Sequence, residues 1–232
     1  MGSRRLNVPS YLSHQPLFKG MNESELVNMA DASQLRRLGR GEAIFQAGEA
    51  CEALYLVVEG LVKLYARGTQ GQEKVIEVVA AGECVSEALM FSDVAHSVNA
   101  CALTDVLLLV IPKSVLLQAI NGNGELAIGL ITRLSRRFTR MVKDIEALTL
   151  QSGVERVVDY LLQSPVVEGG QDTVEGDITV SLPASKGTIA SLLSVTPEHF
   201  SRILHELQAN GLIAVNRRQI HIPDVQRLAC YS

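Results

Sequence analysis

The sequence lacks several features that would settle its class at once, and each absence excludes something. Nowhere in its 232 residues is there an uninterrupted apolar run of the roughly 18 that a membrane helix needs. The opening Met1-Gly-Ser-Arg-Arg is not followed by the hydrophobic segment of a leader, so a cytoplasmic protein without a membrane partner is expected. The four cysteines, Cys51, Cys84, Cys101 and Cys230, are scattered with no C-x-x-C pair, which suits free core thiols better than a zinc site, an iron–sulfur ligand set or a disulfide framework. Neither a P-loop nor a dinucleotide fingerprint occurs, and no Ser/His/Asp or Cys/His set has a recognisable local context. Neither an enzyme nor a metal site is expected. Basic residues are also few, 21 against 25 acidic, for a net charge of −4. That balance argues against a nonspecific nucleic-acid coat and leaves room for a local basic face.

Such a face occurs near the C-terminus. Thr196 is a good helix cap, Pro197 suits the first turn, and Glu198 favours the positive end of the helix dipole. Phe200, Ile203, Leu204 and Leu207 then fall on one face, with Glu198, Ser201, Arg202 and His205 on the other. Glu198 and Arg202, one turn apart, could form a surface salt bridge or reach a row of base edges together. The preceding run from Lys186 places Ile189, Ala190 and Leu193 against Val195, Phe200 and Ile203, the pattern of a helix-turn-helix, with Ser194 where glycine is commoner. After Asn210-Gly211, Leu212–Val215 and Gln219–Ile222 read as two strands of a wing with Arg217 and Arg218 at its tip. From Ser181 to Ile222 four basic residues face two acidic ones, a local +2. Double-stranded DNA is the expected partner. Glu198, Ser201 and Arg202 are assigned to bases, and Ser185, Lys186, Thr196, Arg217 and Arg218 to phosphates.

Upstream, residues 7–35 read as short helices. From Leu35 to Ile111 a period-two pattern punctuated by glycine predicts seven or eight strands in an antiparallel roll able to enclose a small ligand. Past Asn121-Gly-Asn-Gly124 a long helix runs to about Leu150. Leu126, Leu130, Leu134, Phe138, Met141, Ile145 and Leu148 recur on it at three- and four-residue spacings and predict the seam of a homodimer. Residues 151–163 read as a further amphipathic helix and Ser164–Gly176 as a loop. The expected organisation is an α+β chain: an effector-sensing β-roll (1–121), a dimerisation helix (122–150) and a winged helix-turn-helix (151–232).

This order, with Gly41-x6-Gly48-Glu49 and Tyr55-x4-Gly60-x-Val62-Lys63, resembles the CRP/FNR family of bacterial transcription regulators over essentially the whole chain. Gly71-Gln-Glu-Lys-Val-Ile-Glu-Val, Glu87-Ala-Leu-Met-Phe91 and Pro197-Glu-His-Phe-Ser-Arg-Ile most resemble its Dnr-type branch, the regulators of dissimilatory nitrate respiration. The family's cyclic-nucleotide binders carry Gly-Glu-Leu and an Arg-Ser or Arg-Thr pair; here Ser86-Glu87-Ala88 and His96-Ser97 stand in those places. The missing arginine removes the bidentate phosphate fork, so cyclic nucleotide is disfavoured. No cysteine lies in residues 1–50, so the iron–sulfur cluster of the oxygen-sensing branch is not expected either. The resemblance to the Dnr branch implies nitric oxide sensing through haem, without the Cys-x-x-Cys-His of covalent attachment. His14 is the candidate axial ligand and His96 a second one. Glu198, Ser201 and Arg202 match the FNR-like Glu-x-x-Ser-Arg triplet, which implies a TTGAT-type inverted repeat, with RNA polymerase as partner and activation as the usual outcome. The alternative is a cyclic-nucleotide-binding module serving a partner protein, which would need the phosphate arginine and have no use for a winged helix.

Overall fold

A computed structural model describes residues 6–164, 166–168 and 176–231. The chain divides into two compact units, the first comprising the residues up to 140 other than 73–75, and the second comprising residues 73–75 and those from 141 onward.

The first unit opens with helices α1 (Val8–Ser13) and α2 (Glu23–Ala32), separated by a 3-10 turn at Pro16–Phe18. Asn22 caps α2: its side chain accepts from the Glu25 amide while the Glu25 carboxylate accepts from the Asn22 amide. Eight strands follow: β1 (Gln34–Leu38), β2 (Ala43–Phe45), β3 (Ala53–Glu59), β4 (Leu61–Arg67), β5 (Glu73–Ala80), β6 (Cys84–Val85), β7 (Asn99–Ala102) and β8 (Val106–Pro112). They form two four-stranded sheets, ordered β1-β8-β3-β6 and β2-β7-β4-β5, whose pairings are antiparallel.

Burial explains the sequence pattern of each strand. Strands β3 and β8 are covered on both faces. Leu54, Leu56, Leu109 and Ile111 join a core with Leu12, Phe18, Met29 and Leu116 from the helices, while Val57, Val106 and Leu108 join a second core with Phe45, Val62 and Leu64. Both strands therefore read as nearly continuous apolar runs. In β4 only Val62 and Leu64 turn inward, and the strand alternates. The turn from β3 to β4 needs glycine: Gly60 has φ +86°, and a Cβ there would lie 2.2 Å from the Asp105 carbonyl oxygen. The expected roll is present with eight strands.

Helix α3 (Lys113–Gly122), which the sequence pattern does not announce, follows β8 and buries Leu116. Asn123 then starts α4 (Gly124–Leu150), accepting from the amides of Glu125 and Leu126. Helix α4 is unbroken over 27 residues.

In the second unit, α5 (Gly153–Gln163) begins with a Ser152–Glu155 capping box. Strands β9 (Val166–Glu168) and β10 (Ile178–Ser181) precede α6 (Lys186–Leu192) and α7 (Pro197–Ala209), and β11 (Ala214–Asn216), β12 (Gln219–Ile222) and α8 (Val225–Ala229) complete the chain. The third sheet is ordered β11-β12-β10-β9. The wing is thus the edge of a four-stranded sheet. Val166–Glu168, expected in a loop, is a strand paired with β10; residues 169–175 of that loop lie outside the described residues. Leu212 and Ile213, expected in the first wing strand, are buried ahead of it. Cys51 and Cys84 are buried free thiols as expected, but Cys101 is half-buried and Cys230 exposed. Burial pushes the Cys84 thiol up to about 12. No helix among the described residues is long and apolar enough to cross a membrane.

Candidate nucleic-acid interface and effector site

Helix α7 is anchored by one face and leaves the other free. Phe200 and Leu207 are 0% exposed, with Ile203 and Leu204 at 2%. Each such burial contributes roughly 1.5–3 kcal/mol, more than a helix cap at about 1 kcal/mol. Packing therefore decides where the helix lies, and the cap decides where it starts: Thr196 Oγ1 accepts from the His199 amide at 3.1 Å.

Glu198, Ser201, Arg202 and His205 are all exposed. The carboxylate of Glu198 turns back to its own backbone amide and the Thr196 hydroxyl, which hold it below the usual carboxylate range. Arg202 has no ion pair among the described residues, so the surface salt bridge weighed as an alternative does not form.

Helix α6 meets α7 through Ile189 and Ala190, both fully buried, while Leu193 and Val195 are only half-buried. Ser194 takes φ +55° in the turn, the left-handed conformation that glycine commonly supplies. Ser185 caps α6, accepting from the Thr188 amide at 3.2 Å, and Ser185, Lys186 and Thr196 are exposed. Asn216 pairs with Gln219, leaving Arg217-Arg218 as a two-residue loop, both exposed, with Arg217 at φ +56°. An arginine in that strained region puts a guanidinium where glycine would be easier to accommodate. The structure brings all eight residues expected to contact DNA onto exposed positions of the helix-turn-helix and wing. His221 belongs elsewhere: its Nδ1 lies 3.2 Å from Asp177 Oδ1.

The long helix departs from expectation. Leu126 and Leu130, placed on the dimer seam by their spacing, are each 1% exposed and packed in the subunit's own core with Leu12 and Leu17. Leu134 is half-buried. Phe138, Met141, Ile145 and Leu148 are exposed, at 69, 53, 62 and 43%. Ile128, Ile131 and Val142 are exposed beside them and were missed. The outward stripe is therefore Ile128, Ile131, Phe138, Val142 and Ile145, flanked by Met141 and Leu148. Positions 128, 131, 135, 138, 142, 145 and 149 alternate steps of three and four, with Ser135 and Thr149 as the polar members.

The inward side of α4 also carries charge. Arg137 donates from Nη1 to Glu87 Oε1 at 2.9 Å and from Nη2 to Glu77 of β5, while Arg140 Nη1 lies 3.6 Å from Glu77 Oε1. Glu87 is 3% exposed and sits in a 3-10 turn, Glu87–Leu89, entered through Ser86 at φ +77°. Desolvation raises Glu77 although Arg137 works against it. Ser86 Oγ, Glu87 Oε2 and Arg133 Nε are buried without a hydrogen-bond partner among the described residues. His96 is 3% exposed, its ring stacked on Phe45 at 3.6 Å with Nε2 also unpartnered, and burial lowers its pKa. His14 lies apart from these groups in sequence, exposed at the end of α1, with Nδ1 on the Ser10 carbonyl at 2.6 Å.

Comparison with known proteins agrees with this architecture. Residues 35–123 match the cyclic nucleotide-binding domain family and residues 155–231 the Crp-like helix-turn-helix domain family. The chain is 32% identical to the crystallised DNR from Pseudomonas aeruginosa, covering 100% of both chains with a TM-score of 0.51. FixK2 from Bradyrhizobium japonicum shares the fold at 24% identity and a TM-score of 0.72, covering 84% of this chain and 95% of that one. A CRP-like cAMP-activated global transcriptional regulator from Mycobacterium tuberculosis is 24% identical over 94% of this chain and 96% of its own length. With an effector-type roll and a helix-turn-helix matched in order, the chain belongs to the CRP/FNR family of transcription regulators and is not an enzyme.

Proposed function

We propose that the protein is a homodimeric activator that reads a TTGAT-type inverted repeat, works through RNA polymerase, and answers to nitric oxide at bound haem. The observation that carries the DNA reading is the exposed Glu198, Ser201 and Arg202 face of a helix whose opposite face is fully buried. A guanidinium can grip O6 and N7 of guanine, a carboxylate can accept from the N4 amine of cytosine, and a serine can approach thymine. Arg217 and Arg218 supply sequence-independent contacts to phosphate.

Dimerisation is supported by the outward stripe of α4. A helix does not keep a row of exposed isoleucine, phenylalanine and valine in water when pairing would bury it at roughly 1.5–3 kcal/mol per side chain. A helix-turn-helix dimer reads two half-sites one DNA turn apart, about 34 Å, which suits an inverted repeat. Fluorescence anisotropy with the inverted repeat and a scrambled duplex tests the reading. Wild-type protein is expected to prefer the repeat, and Phe138→Glu to sediment as a monomer and lose that preference. Equal binding to both duplexes by wild type would refute it.

For the effector, the two histidines differ. In His14 the Nδ1–H donates to the Ser10 carbonyl, which leaves Nε2 as an exposed lone pair, the arrangement typical of an iron-ligating histidine. His96 does not fit: one face is covered by Phe45 and the ring is enclosed. Bound haem would supply an iron that takes up nitric oxide. The test is a Soret band on haem titration that shifts with nitric oxide in the wild type and is altered in His14→Ala.

A second reading keeps the same architecture with a cyclic nucleotide as effector. The unpartnered Ser86 Oγ and Glu87 Oε2 favour a ligand with hydroxyl groups at this turn, and one relative is described as cAMP-activated. Against it, His96 offers no phosphate fork and one oxygen of Glu87 is already held by Arg137. Calorimetric titration with cAMP separates the readings, and no heat of binding is expected.

A further inference from the structure

The joint between α4 and α5 is tied to the helix-turn-helix at two independent points. Arg156, half-buried in α5, donates from Nε to the Leu193 carbonyl at 2.9 Å and from Nη1 to the Gln151 carbonyl at 2.6 Å, with Nη2 3.5 Å from the Ser194 carbonyl. Gln151 continues the last turn of α4, its amide donating to the Ala147 carbonyl at 3.1 Å. Leu193 and Ser194 are the turn from which α7 departs. One planar, pre-organised guanidinium therefore spans the end of the long helix and the end of α6, where unsatisfied carbonyls favour a cation. The second tie is steric. A Cβ on Gly153 would lie 3.2 Å from both Val195 Cγ1 and His199 Cε1, so the joint rests directly against the first turn of α7. Its own backbone is held by the Ser152–Glu155 capping box, and the Gln151 side chain donates from Nε2 to Asp159 Oδ2 at 2.7 Å.

We propose that Arg156 is a positioning residue for DNA reading. Without touching DNA, it sets the angle between the recognition helix and the end of the long helix, and thereby the separation of the two recognition helices in a dimer. This rests on the dimeric DNA reading above. Lysine cannot replace the fork, because one ammonium has no fixed plane in which to hold two carbonyls from different segments.

The test compares full-length wild type, Arg156→Gln and Arg156→Lys by anisotropy on three duplexes: the inverted repeat, the same repeat with a lengthened spacer, and a single half-site. In Arg156→Gln, affinity for the native repeat is expected to fall roughly tenfold or more, as for loss of charged hydrogen bonds, while affinity for the single half-site stays the same. Discrimination between the two spacers should shrink in both variants. Thermal unfolding is followed alongside, and if Arg156→Gln does not unfold cooperatively, Arg156→Lys decides. Equal losses on half-site and repeat would overturn the inference, since Arg156 would then only hold the reader together. Unchanged spacer discrimination would overturn it too. Wild type with no preference for the repeat over the half-site removes the dimeric reading and this inference together; wild type with that preference beside unaltered variants removes the inference alone.

Discussion

Helix α7 holds Glu198 and Arg202 one turn apart in solvent, whereas helix α4 sends Arg137 between Glu77 and Glu87, with Glu87 almost wholly buried. The same two functional groups are in opposite states. On α4 the charges left water when the chain folded, and their pairing offsets a desolvation cost already incurred. On α7 no such cost has been incurred: Arg202 stands exposed without an ion pair among the described residues. A guanidinium with its carboxylates in place holds structure, and one without them can read bases.

Removing each arginine in turn should separate these states. Arg137→Ala leaves two carboxylates in a buried site and is expected to cost about 3–5 kcal/mol in denaturant unfolding. If the loss is under about 1 kcal/mol, the network is not holding α4 to the roll. Arg202→Ala is expected to leave stability within about 0.5 kcal/mol of wild type while costing about 1–3 kcal/mol of binding and relaxing specificity at guanine. A uniform loss on specific and random duplexes would move Arg202 from base reading to phosphate contact. Arg217→Gly relieves a left-handed arginine, so stability should hold or rise by up to ~1 kcal/mol while every sequence binds more weakly and the salt slope falls by about 1. The smallest effect concerns Glu77. Its pKa is raised in the fold because burial outweighs the pull of Arg137, so its contribution is fully present below the unfolded carboxylate pKa and declines as pH rises through the folded value. Glu77→Gln should remove that decline, seen as a flatter stability profile from acid towards neutral pH.

Much of the DNA-reading unit is legible in residue order alone, because each of its signals is local. Thr196 and Pro197 start a helix wherever it sits, the spacing of Phe200, Ile203, Leu204 and Leu207 marks its buried face, and the exposed residues follow by subtraction. The roll's strands are likewise visible through glycine punctuation and alternation. Helix α3 and the strand Val166–Glu168 escape such signals: the first follows β8 without a strong cap, and the second exists through its pairing with β10.

What the sequence determined alone is the order of roll, long helix and winged helix-turn-helix, and the start and anchored face of the recognition helix. Only the tertiary structure decided which stripe of α4 faces inward. Leu126 and Leu130 share the helical period with Ile128 and Ile131, and periodicity records that two faces are apolar without saying which one meets the roll. The pairing of Arg137 with Glu77 and Glu87, and the reach of Arg156 from Gln151 to Leu193, were likewise decided in three dimensions. They join residues 37 to 60 positions apart, or fix a backbone carbonyl that leaves no trace in residue type.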